Sequence, residues 1–291
     1  MAYDKILLPT NGQAATEGAM LRALNFARGL NAHVHALYVA DTGPSSGALT
    51  DDARNSLHEA LDSRGQEATL EAQNRAEEIG VDLSREIREG NPTDEILACA
   101  DEQNVDLIVM AARSRSTHQH LGSTSRRVLS RVELPVVTVP FGETVTLPED
   151  WTTMYDRIVV ATDGSDAAER AAEHALSVAE RYGADLRIVY VVDTDTYSLQ
   201  DAPRSIVGIL KEGGENAVET IAEKARERSV PVTSSILRGI PEDAVLQYAA
   251  GSGSNLVAMG VAGRSGEDRR YLGSTTARVL RRSTVPILTS P

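Results

Sequence analysis

The chain is written twice. DKILLPTNG from Asp4 is echoed by DRIVVATDG from Asp156, and AHVHALYVAD from Ala32 by ADLRIVYVVD from Ala184, both at an offset of 152. REGNPTDEIL from Arg88 answers LRGIPEDAVL around Gly239 at an offset of 149. VDLIVMA and LGSTSRRVLSRVELPVVTVP then answer SNLVAMG and LGSTTARVLRRSTVPILTSP, in the same order. A sequence of 291 residues that repeats itself end to end reads as two copies of one small domain, each long enough for its own core. The reading places the first domain at 1–140 and the second at 154–291. The non-repeating, Pro-containing stretch 141–153 is the linker between them.

Each copy alternates short β-branched runs with long Ala- and Glu-rich stretches of helical period, the sequence form of repeated βα units. In copy two the strands read RIVVAT, LRIVYVV, PVTSSIL, NLVAMG and PILTS. Their near-continuous apolar character suits strands covered on both faces. The expected fold is α/β: two tandem, doubly wound, five-stranded parallel-sheet domains of Rossmann-like type with helices on both faces. Ligands on such sheets sit beyond the C-terminal strand ends, where the winding reverses.

Two turns in copy two stand at such ends. After the first strand comes Thr162-Asp163-Gly164-Ser165-Asp166, whose residues are also ordinary turn and capping residues. After the fourth come Gly260 and Gly263, nine residues, then Gly273-Ser274-Thr275 opening the helix TARVLRRS. Glycines let backbone N–H groups approach an anion, and a helix N-terminus with a hydroxyl completes a phosphate cradle. The pattern lacks the GK[ST] ending of a Walker loop and is too widely spaced for a dinucleotide fingerprint. Arg264, Arg269, Arg270, Arg278, Arg281 and Arg282 gather positive charge here. The last three also suit the C-terminal half of their helix, whose dipole favours cations without any ligand.

The tandem βα repeats, the T-D-G-S turn and the G-x-x-G, nine residues, G-S/T spacing together resemble the universal stress protein family, in its ATP-binding branch. The resemblance spans both copies and implies that Asp163 contacts the ribose or adenine side and that Val191 presents backbone to adenine. It implies that Gly260, Gly263, Gly273, Ser274 and Thr275 hold phosphates, with a divalent cation such as Mg2+ bridging them. Ala161, Thr162 and Arg264 complete the expected nucleotide-binding set. Ala161 stands where the family usually has proline. By the same resemblance, domains pair through their last strands, so PVVTV and PILTS pair within one chain and a homodimer is a further expectation.

Copy one departs from the pattern. Asn11 replaces the acidic residue, Ala111 and Ser114 replace the first two glycines, and seven residues separate Ser114 from Gly122-Ser123-Thr124. Weak or no ATP binding is expected there. Arg113, Arg115, Arg126, Arg127 and Arg131 leave a basic surface suited to a smaller anion. His33 and His35 alternate along strand two, a pattern read as packing or exposure on one sheet face. His118 and His120, in the shortened loop, have no acidic or cysteine partner nearby in sequence. The single cysteine, Cys99, lies in the apolar helical pattern EILACA and reads as core. No catalytic residue can be picked out, and any metal ligand is left open.

The net charge of −13 excludes a general nucleic-acid binder, whose affinity rests on basic side chains. Only three lysines stand among 29 basic residues, against 42 acids, a balance that suits a salt-rich habitat where salt screens self-repulsion. Thermal unfolding in molar salt is therefore expected at a higher midpoint than in low salt, and equal midpoints would overturn that reading. Apolar residues are spread without a membrane-length run, and the N-terminus has no export-signal pattern, so a cytoplasmic address is expected. The leading functional expectation is an ATP-binding stress or signalling module meeting an unknown protein partner, with hydrolysis slow or absent for want of a general base. The alternative is a nucleotide-independent interaction module; a nucleotide-dependent transferase ranks last.

Overall fold

A computed structural model describes residues 3–41, 50–112, 121–141, 154–193, 204–263 and 272–291. In the first domain the elements are β1 (Lys5–Thr10), α1 (Ala14–Leu30), β2 (His33–Ala40), α2 (Asp51–Ile79), β3 (Leu83–Glu89), α3 (Pro92–Glu102), β4 (Leu107–Ala111), α4 (Ser123–Leu129) and β5 (Val136–Val139). The second repeats the order as β6 (Arg157–Thr162), α5 (Asp166–Tyr182), β7 (Asp185–Asp193), α6 (Arg204–Glu227) and β8 (Val232–Gly239). It continues with α7 (Pro241–Ser252), β9 (Leu256–Gly260), α8 (Ser274–Arg282) and β10 (Ile287–Ser290). The five strands read from copy two are all present, with ends shifted by no more than two residues. Among the described residues, no helix is long and apolar enough to cross a membrane.

The strand order is β3-β2-β1-β4-β5 in the first domain and β8-β7-β6-β9-β10 in the second. The pairs β1·β2, β2·β3, β1·β4, β6·β7, β7·β8, β6·β9 and β9·β10 are parallel. In the second domain the chain winds outward from β6 through β7 to β8, then returns to β9 on the other side of β6. Right-handed crossovers then put the first two helices on one face and the last two on the other. Accordingly α5 packs on β6, β9 and β10 and meets α6, while α7 and α8 pack together. The reversal falls between β6 and β9, so the turns that follow those strands meet at one crevice.

The helices begin and end where local chemistry dictates. Ser165 caps α5 by accepting the Ala168 N–H, Asn91 accepts the Thr93 N–H at the start of α3, and Gly183 closes α5 with φ 67° in the left-handed region. The strand cores β4 and β9 are buried along nearly their whole length, as strands covered on both faces must be.

A shared packing device runs through both copies. A Cβ on Gly65, inside α2, would stand 2.7 Å from the Tyr38 ring, and one on Gly214, inside α6, would stand 2.6 Å from the Tyr190 ring. Glycine within a helix costs roughly 0.5–1 kcal/mol relative to alanine. It is retained at both places because the tyrosine from the second strand occupies the volume a side chain needs.

Candidate functional site

The loop after β6 is shaped by its own side chains. Thr162 Oγ1 accepts the Gly164 N–H at 3.1 Å and Asp163 Oδ1 accepts the Ser165 N–H at 3.1 Å. Gly164, at φ 77°, supplies the left-handed residue that this tight turn requires. One Asp163 oxygen is thus committed to the turn, while the other, Oδ2, stands only 2.5 Å from where a Cβ on Gly263 would lie. Asp163 and Gly263 therefore face each other across the reversal point, and the absence of a side chain at Gly263 keeps that approach open.

Gly260, the last residue of β9, is small for another reason. A Cβ there would come 2.9 Å from the Ala168 nitrogen and 3.0 Å from the Ala167 methyl, in the first turn of α5. Close packing of helix on strand demands glycine here whether or not a ligand is present.

The start of α8 is tied to the same strand end. The Gly273 N–H donates to the Val261 carbonyl at 2.9 Å, and the Thr276 hydroxyl donates to the Gly260 carbonyl at 2.9 Å. Gly273 is the N-cap and has no side chain to cap with, so the opening turn, with exposed Ser274 and half-buried Thr275, carries no side-chain cap. The first N–H groups of a helix are polar donors at the positive end of its dipole, which makes such an uncapped turn receptive to an anion.

On the other flank, Thr162 is in register with Tyr190, so Val191 follows beside Asp163 at the end of β7. Ala161 is held between Val189 and Met259. The structure thus gathers Ala161, Thr162, Asp163, Val191, Gly260, Gly263, Gly273, Ser274 and Thr275 at one sheet end. Arg264, Arg269 and Arg270 lie outside the described residues. Arg278 and Arg282 have another employment: they bind Glu242 at 2.9 Å and Asp243 at 2.5 Å, in the first turn of α7.

Copy one keeps the scaffold of this arrangement. Asn11 Oδ1 accepts the Gln13 N–H at 3.1 Å, as Asp163 does for Ser165, and Ser125 donates to the Ala111 carbonyl at 2.8 Å, as Thr276 does to Gly260. The negative charge is gone, however, with an amide in its place, and the end of β4 carries the Ala111 methyl where β9 ends in Gly260. Ser114, Arg113, Arg115, His118 and His120 lie outside the described residues. The hydroxyl tie of Ser125 and Thr276 escaped sequence reading, although its signal was the third residue of the aligned STS and STT triplets.

A second polar cluster, in copy one, also escaped it. His33 and His35 do share a sheet face, but they are hydrogen-bonded there rather than merely packed. Asp82 Oδ2 lies 2.8 Å from His33 Nδ1, and Ser84 Oγ lies 2.7 Å from both His33 Nε2 and His35 Nδ1. Glu86 Oε2 lies 2.8 Å from His35 Nε2. Arg88 donates from Nε to Glu86 Oε1 at 2.7 Å and from Nη2 to Glu102 at 2.6 Å. Cys99 is fully buried, as a core residue should be, yet its Sγ is 3.9 Å from Glu86 Oε2. Burial pushes its thiol up to about 11, opposed in part by Arg88. The signal in the sequence was the alternation of polar residues at 82, 84, 86 and 88 beside that of 33 and 35.

The fold has known counterparts. A model of the Universal stress protein family matches residues 2–140 and again 154–291. A universal stress protein of Methanocaldococcus jannaschii is 33% identical over 138 residues, 46% of this chain and 81% of that relative. Another, from Synechocystis, is 25% identical over 224 residues, 75% of this chain and 69% of its own length. The crystal structure of a universal stress protein from Archaeoglobus fulgidus superposes with a TM-score of 0.74 over 99% of this chain and 96% of that one, at 22% identity. The protein is a tandem α/β chain of the Rossmann-like class. It belongs to the universal stress protein family.

Proposed function

We propose that the second domain, residues 154–291, binds ATP with Mg2+ and that the protein acts as a nucleotide-responsive stress or signalling module. The observation that carries this reading is the convergence, at the reversal between β6 and β9, of the Asp163 carboxylate, the bare backbone at Gly263 and the uncapped start of α8. The donor set fits the ligand: helix N–H groups and the hydroxyls of Ser274 and Thr275 for phosphate oxygens, and a carboxylate for ribose hydroxyls. Val191 borders the same crevice, where the β7 backbone meets the base. Mg2+ bound with the nucleotide would neutralise part of the phosphate charge. Among the described residues at the crevice the candidate base is the Asp163 carboxylate, which in this reading is engaged by the Ser165 N–H and the ribose rather than by an attacking water, so hydrolysis is slow or absent.

The first domain, residues 1–140, serves in this reading as a partner module that does not take ATP, because its sequence puts Asn11 in the place of Asp163 and Ser114 in the place of Gly263. Titration calorimetry of the intact chain with ATP and Mg2+, in high salt, tests both halves together. One site per chain is expected. No heat of binding would overturn the nucleotide reading and leave an interaction module; two sites would overturn the assignment of the first domain.

A further inference from the structure

We propose that His35 Nε2, Glu86 Oε2 and Cys99 Sγ form a binding site in the first domain for a divalent transition metal of the zinc class. The three ligand atoms come from β2, β3 and α3 and all lie within 4.8 Å of one another. Tetrahedral zinc, with bonds of about 2.0–2.3 Å, sets its ligand atoms roughly 3.3–3.6 Å apart. The 2.8 Å and 3.9 Å separations from Glu86 Oε2 bracket that range, so small side-chain shifts admit the ion. An imidazole, a carboxylate and a thiolate select a borderline-soft cation over Mg2+ or Ca2+, which take oxygen ligands. Three protein ligands leave a fourth position for water, and Glu86 is 29% exposed, which gives the site a route to solvent.

The hydrogen bonds behind the ligands accommodate the assignment. Four contacts join Asp82, His33, Ser84, His35 and Glu86, and each needs one hydrogen. With neutral imidazoles and ionised carboxylates the five groups hold three, one on each ring and one on Ser84. The row is therefore one positive charge short, a place that either a proton or a metal ion fills. A metal on His35 Nε2 closes the account: His35 Nδ1–H donates to Ser84, Ser84 O–H to His33 Nε2, and His33 Nδ1–H to Asp82. Every hydrogen then points away from the metal, and the ligating ring is held by the kind of outer partner that metal-bound histidines use.

Glu86 is divided in the same way, with Oε1 held by Arg88 and Oε2 left toward His35 and Cys99. Arg88 is itself surrounded by Glu86, Glu95 and Glu102, so the surroundings are net negative despite the guanidinium. On binding, the Cys99 S–H bond is replaced by a sulfur–metal bond and its proton is released to solvent, since a coordinating thiol is deprotonated outright. The second domain is an internal control. The repeat places Arg187, Ser235 and Tyr248 where His35, Glu86 and Cys99 stand, and Ser235 and Tyr248 meet there through hydroxyls at 3.4 Å. The site is thus specific to the copy that has lost the phosphate glycines.

The test is titration of the reduced, metal-free full chain with Co2+, followed by absorption. Cys99 is the only cysteine, so a thiolate-to-cobalt charge-transfer band reports this site and no other. The band is expected to saturate at one equivalent and to bleach on adding Zn2+. Cys99→Ser abolishes it, and His35→Gln and Glu86→Gln each weaken binding at least tenfold. Ser84→Ala keeps the band but lowers affinity about 10–100-fold, the usual effect of removing an outer partner. Circular dichroism confirms that each variant is folded. No band from the parent chain at excess Co2+, or a band unchanged in folded His35→Gln, overturns the proposal. Neither outcome bears on ATP binding by the second domain.

Discussion

Gly263→Glu is expected to remove ATP binding by the second domain, weakening it at least 100-fold, about 3 kcal/mol, in titration calorimetry with Mg2+. The effect is steric and electrostatic together. The first atom of any side chain at 263 would stand 2.5 Å from Asp163 Oδ2, between the two loops. A carboxylate carried beyond that atom then opposes both Asp163 and the incoming phosphates. The fold is expected to survive, because Gly263 is exposed and its backbone lies outside the left-handed region that only glycine tolerates well. A thermal midpoint within a few degrees of the parent is the control. Gly263→Ala makes the series informative: one methyl displaces the Asp163 carboxylate without filling the crevice, and a loss of about tenfold, near 1.4 kcal/mol, is expected. Unchanged affinity in folded Gly263→Glu would remove this crevice from consideration as the nucleotide site.

The second large effect is on stability against pH. His174 lies on α5, is only 9% exposed, and burial holds its imidazole down to about 4. Its ordinary value is about 6.5, so the unfolded chain takes up this proton first as the pH falls. Stability is therefore fully present above about pH 6.5 and is lost as the pH drops toward 4. The total is about 3 kcal/mol at roughly 1.4 kcal/mol per pH unit of difference. His174→Gln abolishes that slope. Denaturant unfolding of both proteins at steps between pH 7 and 4 measures it directly; parallel curves for parent and variant would contradict the assignment. Glu86 and Glu173 titrate below their ordinary carboxylate range despite partial burial, each held by basic partners. Their contributions are present above that range and fade below it, in a more acidic window. The repeat puts Arg22 at the place of His174, and that side chain is buried too. Both copies thus bury a basic residue on the same face of their first helix.

Much of the second domain was legible in advance because its signals are local. Continuous apolar runs predicted strands buried on both faces. The glycines at 260, 263 and 273 were legible as a set, but the reason for each was not. Gly263 borders the Asp163 carboxylate, whereas Gly260 is demanded by the first turn of α5, and nothing in the spacing distinguishes those causes. The arginines divide in a similar way. Arg278 and Arg282 reach the acidic start of α7, a contact between helices more than 30 residues apart in sequence.

The histidine row of the first domain shows the limit most clearly. Alternation on β2 was visible, but what the rings face depends on β3, whose register sets His35 opposite Ser84, and on α3, which brings Cys99 to Glu86. Those pairings join residues 49 and 13 positions apart on different elements, and no local propensity encodes them.

By itself, then, the sequence determined the duplication, the βα alternation, the winding of each domain and the turns that meet beyond its strands. These follow from hydrophobic period and turn chemistry, which act over a few neighbouring residues. Only the tertiary structure decided which face of each glycine is occupied, why Gly65 and Gly214 receive a tyrosine ring, and that His35, Glu86 and Cys99 share one pocket of charge. Those outcomes depend on strand register and helix docking, where groups distant in sequence compete for the same volume and the same hydrogen bonds.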